Sequence, residues 1–310
     1  MFRLGYNTNG LAHHRVVDAL ELLADLGYEG VAITPDVGEL DLYHLQPELV
    51  GEIRRRASDR GLALVVETGA RYLLDPRKKH HPTLLDDDSA QRARRVDMLR
   101  RSIDLAVALS AEVVSLWSGA APTEIAADAR DTAPARTRNT GNGTRNTGAS
   151  TRDAQLAPLW DRLCSGLAIV LDHARSSGVR IAFEPEPGMF IERPSGYAEL
   201  ARRLGTHGAD LGLCLDVGHL VVTGDLPVGE HVREHAAHLL HVHLDDCRAG
   251  VHEHLMFGRG DLELRDVLRS LIDAGYAGMA AVELSRDSHR GAQAAAEALE
   301  HLRHAMVDGA

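Results

Sequence analysis

At 310 residues the chain is long enough for one large α/β domain with a substantial core. Its 44% hydrophobic share with only 4% aromatic residues describes a soluble globular protein packed by Ala, Leu and Val. A net charge of -11, from 34 basic and 45 acidic residues, argues against nucleic acid as a partner, because that binding rests on dense Lys and Arg.

The chain opens with a short apolar segment, residues 3–6, as a first strand. A helix is expected over 16–26, where Val16, Val17, Leu20 and Leu23 form one apolar stripe and Gly27 follows as a stop. A second strand is read at 31–34 and a third at 62–67, ending in Glu67. The run Arg77-Lys78-Lys79-His80-His81 could attract a phosphate but reads first as a solvated loop. Strand four is expected at 113–117. Segment 128–153 then breaks the rhythm, poor in large apolar residues and carrying Thr-Arg-Asn-Thr-Gly twice. Such a polar near-repeat buries too little surface to offset its ordering entropy, so a mobile loop inserted after strand four is expected, either a lid or a tolerated insertion. Further strands are read at 179–184, 213–216, 240–243 and 279–283, and a last helix at 292–306.

Eight short buried strands alternating with helices predict a single (β/α)8 TIM-barrel domain over 1–310. An open doubly wound sheet would announce itself by a Gly-rich turn after strand one, and Tyr6-Asn7-Thr8-Asn9-Gly10 is not one. The cysteines, Cys164, Cys214 and Cys247, are far apart and spell neither a disulfide framework nor a zinc motif. No 18-residue apolar run and no signal-like N-terminus is present, so no membrane partner and a cytoplasmic address are expected.

Catalytic groups of such barrels stand where the strands end at the C-terminal mouth. Four strand ends carry metal-competent side chains: Glu184, Asp216, His243 and Glu283. Strand alternation puts Ala182 with Glu184, Cys214 with Asp216, and Ala281 with Glu283 on one face, the bulkier Ile181, Phe183, Leu213, Leu215 and Val282 on the other. The small and polar face points to the axis, so the acidic groups converge. Converging carboxylates repel one another, and one divalent cation resolves the conflict. Three carboxylates and an imidazole suit Mn2+ or Mg2+, with Zn2+ or Co2+ also accepted.

The motifs Phe183-Glu184-Pro185-Glu186-Pro187-Gly188, Leu215-Asp216-Val217-Gly218-His219, His241-Val242-His243-Leu244-Asp245-Asp246, Gly258-Arg259-Gly260-Asp261-Leu262 and Ala281-Val282-Glu283-Leu284 give nearly the whole chain a resemblance to the xylose-isomerase-like barrels, which include sugar and sugar-phosphate isomerases and epimerases. The resemblance implies that Glu184, Asp216, His243 and Glu283 hold the metal. It also implies that His219 hydrogen-bonds a substrate hydroxyl. The chain departs from many relatives in having Asp245 where they have Lys, so that lysine's role toward an anionic substrate is absent. Glu186, past Pro185 and of inward parity, is expected to meet substrate. Glu67 is expected either to orient a ligand, to bind substrate or to form an ion pair, and Arg248 and His254 to reach a polyol or phosphate. His241, one layer below His243, is expected to be an interior histidine.

These residues imply a metal-dependent isomerase or epimerase of a sugar, sugar phosphate or cyclitol ketone working through a metal-stabilised enediolate, with Glu184 and Glu283 moving the proton. Return of the proton to the same carbon is epimerisation, and to its neighbour aldose–ketose isomerisation. Loss of a β-hydroxyl would be dehydration, as in the inosose-dehydratase branch. The apurinic-endonuclease branch is the rival from another class. It needs a multi-zinc cluster with further histidines at strand ends and a basic face, whereas strands two and three end in Thr34 and Glu67 and the chain is acidic. A small polyol or sugar is thus the expected partner, with homo-oligomerisation left open.

Overall fold

A computed structural model of the chain describes residues 2–121 and 148–307, the stretch 148–153 as backbone only. Eight parallel strands close into a barrel: β1 (Arg3–Asn7), β2 (Gly30–Ile33), β3 (Ala63–Glu67), β4 (Val113–Leu116), β5 (Arg180–Phe183), β6 (Leu211–Asp216), β7 (Leu239–Leu244) and β10 (Met279–Val282). Each strand hydrogen-bonds its sequence neighbours, and β10 returns to β1. All eight expected strands are present, with ends shifted by one or two residues. The expected first helix is α1 (Val16–Leu26), and its stop is Gly27 at φ 100°, whose N–H caps the carbonyls of Leu23 and Ala24. The expected last helix extends over Gly291–Val307.

Two cores follow from the alternation. Outward residues such as Val31, Ile33, Val66, Phe183, Leu213 and Val242 pack against the surrounding helices. Inward residues are smaller: Ala32, Val65, Val113, Ala182, Cys214 and Ala281 fill the axis, plugged at its N-terminal end by Met279. The plug explains two glycines. A Cβ on Gly30 would lie 2.4 Å from Met279 Cε and 3.1 Å from the Ala63 carbonyl, and one on Gly5 2.7 Å from Met279 Sδ.

Three features were not foreseen or were foreseen differently. The backbone from β4 to β5 is described again from residue 148, where the helix Gly148–Ser177 begins, so residues 148–153 of the expected loop are helical. The rest of that expectation, residues 128–147, lies outside the described residues. Beyond β7 the chain forms an antiparallel hairpin, β8 (Asp246–Arg248) with β9 (Val251–Leu255), that folds over the barrel mouth. Asp246 ties the following Gly-Arg-Gly-Asp loop to it, accepting from the N–H groups of Gly258, Gly260 and Leu262, each at 2.9 Å. Among the described residues no helix is long and apolar enough to cross a membrane.

Candidate active site at the barrel mouth

Inward parity carried one step past the small axial residues delivers the polar set. Register places Asp216 of β6, His243 of β7 and Ala281 of β10 side by side. Glu283 stands one inward step beyond Ala281, and Glu184 one beyond Ala182. His243 Nδ1 lies 3.1 Å from Glu184 Oε1, 3.0 Å from Glu283 Oε2 and 3.8 Å from Asp216 Oδ2. One ligand atom from each of these four residues falls within 4.8 Å of the others. All are buried except Glu283, which is partly open to the cavity.

Hydrogen bonds to their neighbours orient His243 and Asp216. Glu67 Oε1 lies 3.1 Å from His243 Nε2 and accepts its N–H, so that Nδ1 is the ring nitrogen facing the three carboxylates. The same oxygen is 3.0 Å from His241 Nε2, off the hydrogen-bonding direction. Burial alone would raise Glu67, but His243 and His241 hold it well below the usual carboxylate range. Asp216 divides its two oxygens: Oδ1 caps the helix Val217–Thr223 through the His219 N–H at 2.9 Å, and Oδ2 faces the site. Gly218 in this turn is obligatory, since a Cβ would sit 2.1 Å from Asp245 Oδ1.

The electrostatics match a place for a cation. Burial, then Asp245, pushes Asp216 well above its ordinary pKa; burial, with Glu283 and Glu67, raises Glu184. Burial opposes a charge on His243, yet the facing Cys214 and the carboxylates of Glu67, Glu184 and Glu283 hold it well above the imidazole range. A proton here does what a divalent ion would do with more charge. Asp216 Oδ2 is buried with no hydrogen-bond partner among the described residues, as a carboxylate oxygen waiting for a ligand would be.

The cavity above, about 320 Å³, is of small-molecule size and is bounded by Asn9, Trp117, Glu186, His80 and Arg286. Asn9 Nδ2 donates to Glu283 Oε1 at 2.7 Å, while its Oδ1 has no partner among the described residues. Burial, with Glu184 and Glu283 nearby, pushes the Glu186 carboxyl up to about 8. Trp117 forms a wall, the His80 ring edge-on at 5.3 Å and the buried Arg95 guanidinium 5.3 Å from its ring. A larger cleft of about 730 Å³ opens at the opposite end of the barrel, near Arg3 and Arg54.

Beside the quartet, three imidazoles meet. His219 Nε2 is 2.9 Å from His252 Nε2, which is 3.1 Å from His254 Nε2, and His254 Nδ1 contacts Asp245 Oδ2 at 2.7 Å. Burial, then His252, lowers His219; burial, then His254, takes His252 down to about 4. Burial opposes a charge on His254, but Glu283 and Asp245 raise it to about 10.

Glu184, Asp216, His243 and Glu283 are therefore brought together, with His219, Glu186, Glu67 and His254 around them, and His241 is the interior residue expected. Arg248 is a correction. It points outward from the hairpin, with 58% of its side chain exposed and paired with Glu253 at 2.6 Å, because a strand hairpin rather than an open loop follows β7. The run 77–81 is divided: Lys79 and His80 line the cavity, Arg77 and Lys78 are exposed. Sequence reasoning missed Asn9, His252 and Trp117. Trp117 was recoverable, being the inward-parity residue past Ser115. The alternation of His252 with His254 was a strand signal without an apolar face to give it weight.

The model of the family described as xylose isomerase-like TIM barrel matches residues 20–305. An inosose dehydratase of Lacticaseibacillus casei is 27% identical over 146 residues, 41% of this chain and 48% of that protein. The chain thus matches about half the length of such curated relatives. Over nearly its full length the fold resembles 3-keto-D-glucoside 4-epimerase from E. coli, with TM-score 0.68 and 14% identity, covering 98% of this chain and 100% of that one. It resembles L-ribulose 3-epimerase likewise, with TM-score 0.69 and 17% identity, covering 100% and 97%. The chain belongs to the xylose isomerase-like TIM barrel family.

Proposed function

We propose that the protein is a divalent-metal-dependent epimerase or isomerase of a small ketose, sugar phosphate or cyclitol ketone, and that Glu184, Asp216, His243 and Glu283 hold the cation. The observation that carries this reading is the convergence of those four side chains within 4.8 Å, with Asp216 Oδ2 buried and unpartnered. The donor set, three carboxylates and an imidazole, favours Mn2+ or Mg2+ over softer ions. When bound, the cation supplies Lewis-acid polarisation of a substrate carbonyl and the neighbouring hydroxyl. The protein's own residues do the rest. Glu184 and Glu283, from non-adjacent strands, flank the α-carbon, one removing its proton and the other returning one. Asn9 fixes the Glu283 carboxylate. Glu186, which lines the cavity and whose carboxyl burial pushes upward, meets a substrate oxygen. Trp117 offers an apolar wall to the carbon skeleton. The solved epimerases of the same fold favour this chemistry.

Dehydration of an inosose is the second reading, favoured by the local sequence similarity to an inosose dehydratase. It differs only in the fate of the carbanion, which expels a β-hydroxyl instead of regaining a proton. Incubating Mn2+-loaded protein with ketoses, ketose phosphates and inososes and identifying products by NMR separates the readings. Elemental analysis accompanies it. Protein that neither retains nor reloads an ion sensitive to His243→Ala overturns the site.

A further inference from the structure

Outside the mouth cavity, the short helix Val228–His235 that precedes β7 carries the run His231-Val232-Arg233-Glu234-His235. With about 3.6 residues per turn, positions 231, 234 and 235 share one sector of the helix roughly 100° wide. The other side holds the helix down. Val232 is buried, the Gly229 N–H donates to Asp266 Oδ2 at 3.2 Å, and the Arg233 guanidinium donates to the Ser270 hydroxyl, both acceptors lying on the helix Leu264–Asp273. One ligand atom from each of His231, Glu234 and His235 falls within 4.8 Å of the others. The two imidazole planes are 11° apart with centroids 6.4 Å apart, so the rings stand side by side, the i,i+4 placement in which two histidines can share one ion. His231 Nδ1 is buried without a hydrogen-bond partner among the described residues, and Glu234 Oε2, at 3.8 Å, is too far to supply one. A zinc ion spans that gap, because two bonds of about 2.0–2.2 Å sum to about 4.1 Å. Burial, against the pull of Glu234, keeps His235 below its ordinary pKa and favours the neutral ring that binds a metal.

We propose that His231, Glu234 and His235 form a transition-metal site on the outer surface of the barrel, separate from the quartet, that takes Zn2+ or a similar borderline ion. Glu234, with 67% of its side chain exposed, closes the site on the solvent side, and a tetrahedral ion keeps its fourth position for water. Imidazole ligands favour zinc, copper and nickel over Mn2+ and Mg2+, so this site and the carboxylate-rich quartet choose different ions. The ion acts as a staple. At eight residues, with no side-chain cap at its N-terminus, this helix is too short to be stable by itself. A metal that ties positions one turn apart binds the folded helix alone and so stabilises the connection between β6 and β7.

The test uses the full-length, untagged protein, stripped with chelator and then given Zn2+ in small excess. Carbethoxylation by diethyl pyrocarbonate, read residue by residue by mass spectrometry, should fall at both His231 and His235 with Zn2+ and stay unchanged with Mn2+. His44, with 79% of its side chain exposed, is the reference and should react equally in all samples. The double variant His231→Gln/His235→Gln should hold one zinc fewer per chain by elemental analysis and show a smaller zinc-induced rise in melting temperature. Both losses should persist in a His243→Ala background, which separates this site from the quartet. Equal modification of His231 and His235 with and without Zn2+, protection confined to one of them, or an unchanged zinc count in the folded double variant would overturn the proposal. Protection by Mn2+ as strong as by Zn2+ would overturn the assignment to a borderline ion. Should the double variant misfold by circular dichroism, the modification pattern of the wild type decides.

Discussion

Replacing Asn9 with Ala removes the amide that donates to Glu283 Oε1 at 2.7 Å while leaving the rest of its turn intact, because the backbone N–H of residue 9 still bonds Asn7 Oδ1 at 3.1 Å. A hydrogen bond to an ionised group in a largely buried setting contributes about 1.5–3 kcal/mol. Its loss lets the Glu283 carboxylate rotate away from His243 Nδ1, which its other oxygen approaches at 3.0 Å. At about 1.4 kcal/mol per factor of ten, the affinity for the quartet's ion should fall roughly 10- to 100-fold, the range typical of partners that orient metal ligands. Competition titration of Mn2+ against a fluorescent chelator measures this directly, with thermal unfolding run alongside to show that the barrel is intact. An Asn9→Ala protein that binds Mn2+ within twofold of the wild type would show that Glu283 needs no such support, and would refute the argument that Glu283 is oriented from the turn after β1.

Gly30→Ala should cost about 1–3 kcal/mol in thermal unfolding, since the new methyl meets Met279 Cε and the Ala63 carbonyl. Adding Met279→Ala should recover part of that loss, and strict additivity would contradict the plug. Asp246→Ala leaves the N–H groups of Gly258, Gly260 and Leu262 without their acceptor and should cost about 3–5 kcal/mol by denaturant titration. A loss under about 1 kcal/mol would mean that water replaces the carboxylate there. Burial, then Lys79 and Arg95, lowers His80 to about 4. The unfolded chain therefore binds the extra proton below about pH 6.5. The contribution is intact above that pH and is lost as pH falls to about 4, at most about 3 kcal/mol before solvent screening. His80→Asn, which tolerates the φ of 62° at this position, should lose less stability than the wild type between pH 7 and 4. Equal losses would remove His80 from the acid response.

The barrel was legible because its strands keep two separate ledgers of side-chain size. Ala182, Cys214 and Ala281 leave room at the axis, and Phe183, Leu213 and Leu215 are too large for it, so direction was readable from the alternation of small with bulky side chains. The quartet followed from the same alternation carried one residue further. What stayed hidden depends on contacts between distant segments. Asn9 lies in a short 3-10 turn, Thr8–Leu11, and its partner is 274 residues away, a pairing that only closure of β10 onto β1 creates. The hairpin Asp246–Leu255 has no apolar face to mark it, because what it covers is the polar mouth itself. That is why Arg248 was assigned inward and His252 overlooked. Glu67 ended the right strand, but only the paired distances to His241 and His243 place it behind His243.

The central claim, that carboxylates at a metal move the α-proton, is met most directly by solvent exchange. Mn2+-loaded protein is incubated in D2O with the ketone that the substrate screen selects, and the product is read by proton NMR. Deuterium should appear at the reacting carbon at the rate of turnover, and Glu283→Gln, topped up to full metal content, should nearly abolish both, because an amide cannot accept the proton. Product that keeps its original hydrogen, or a Glu283→Gln protein that turns over at the wild-type rate, would contradict the account and leave Glu184 and Glu283 as ligands alone.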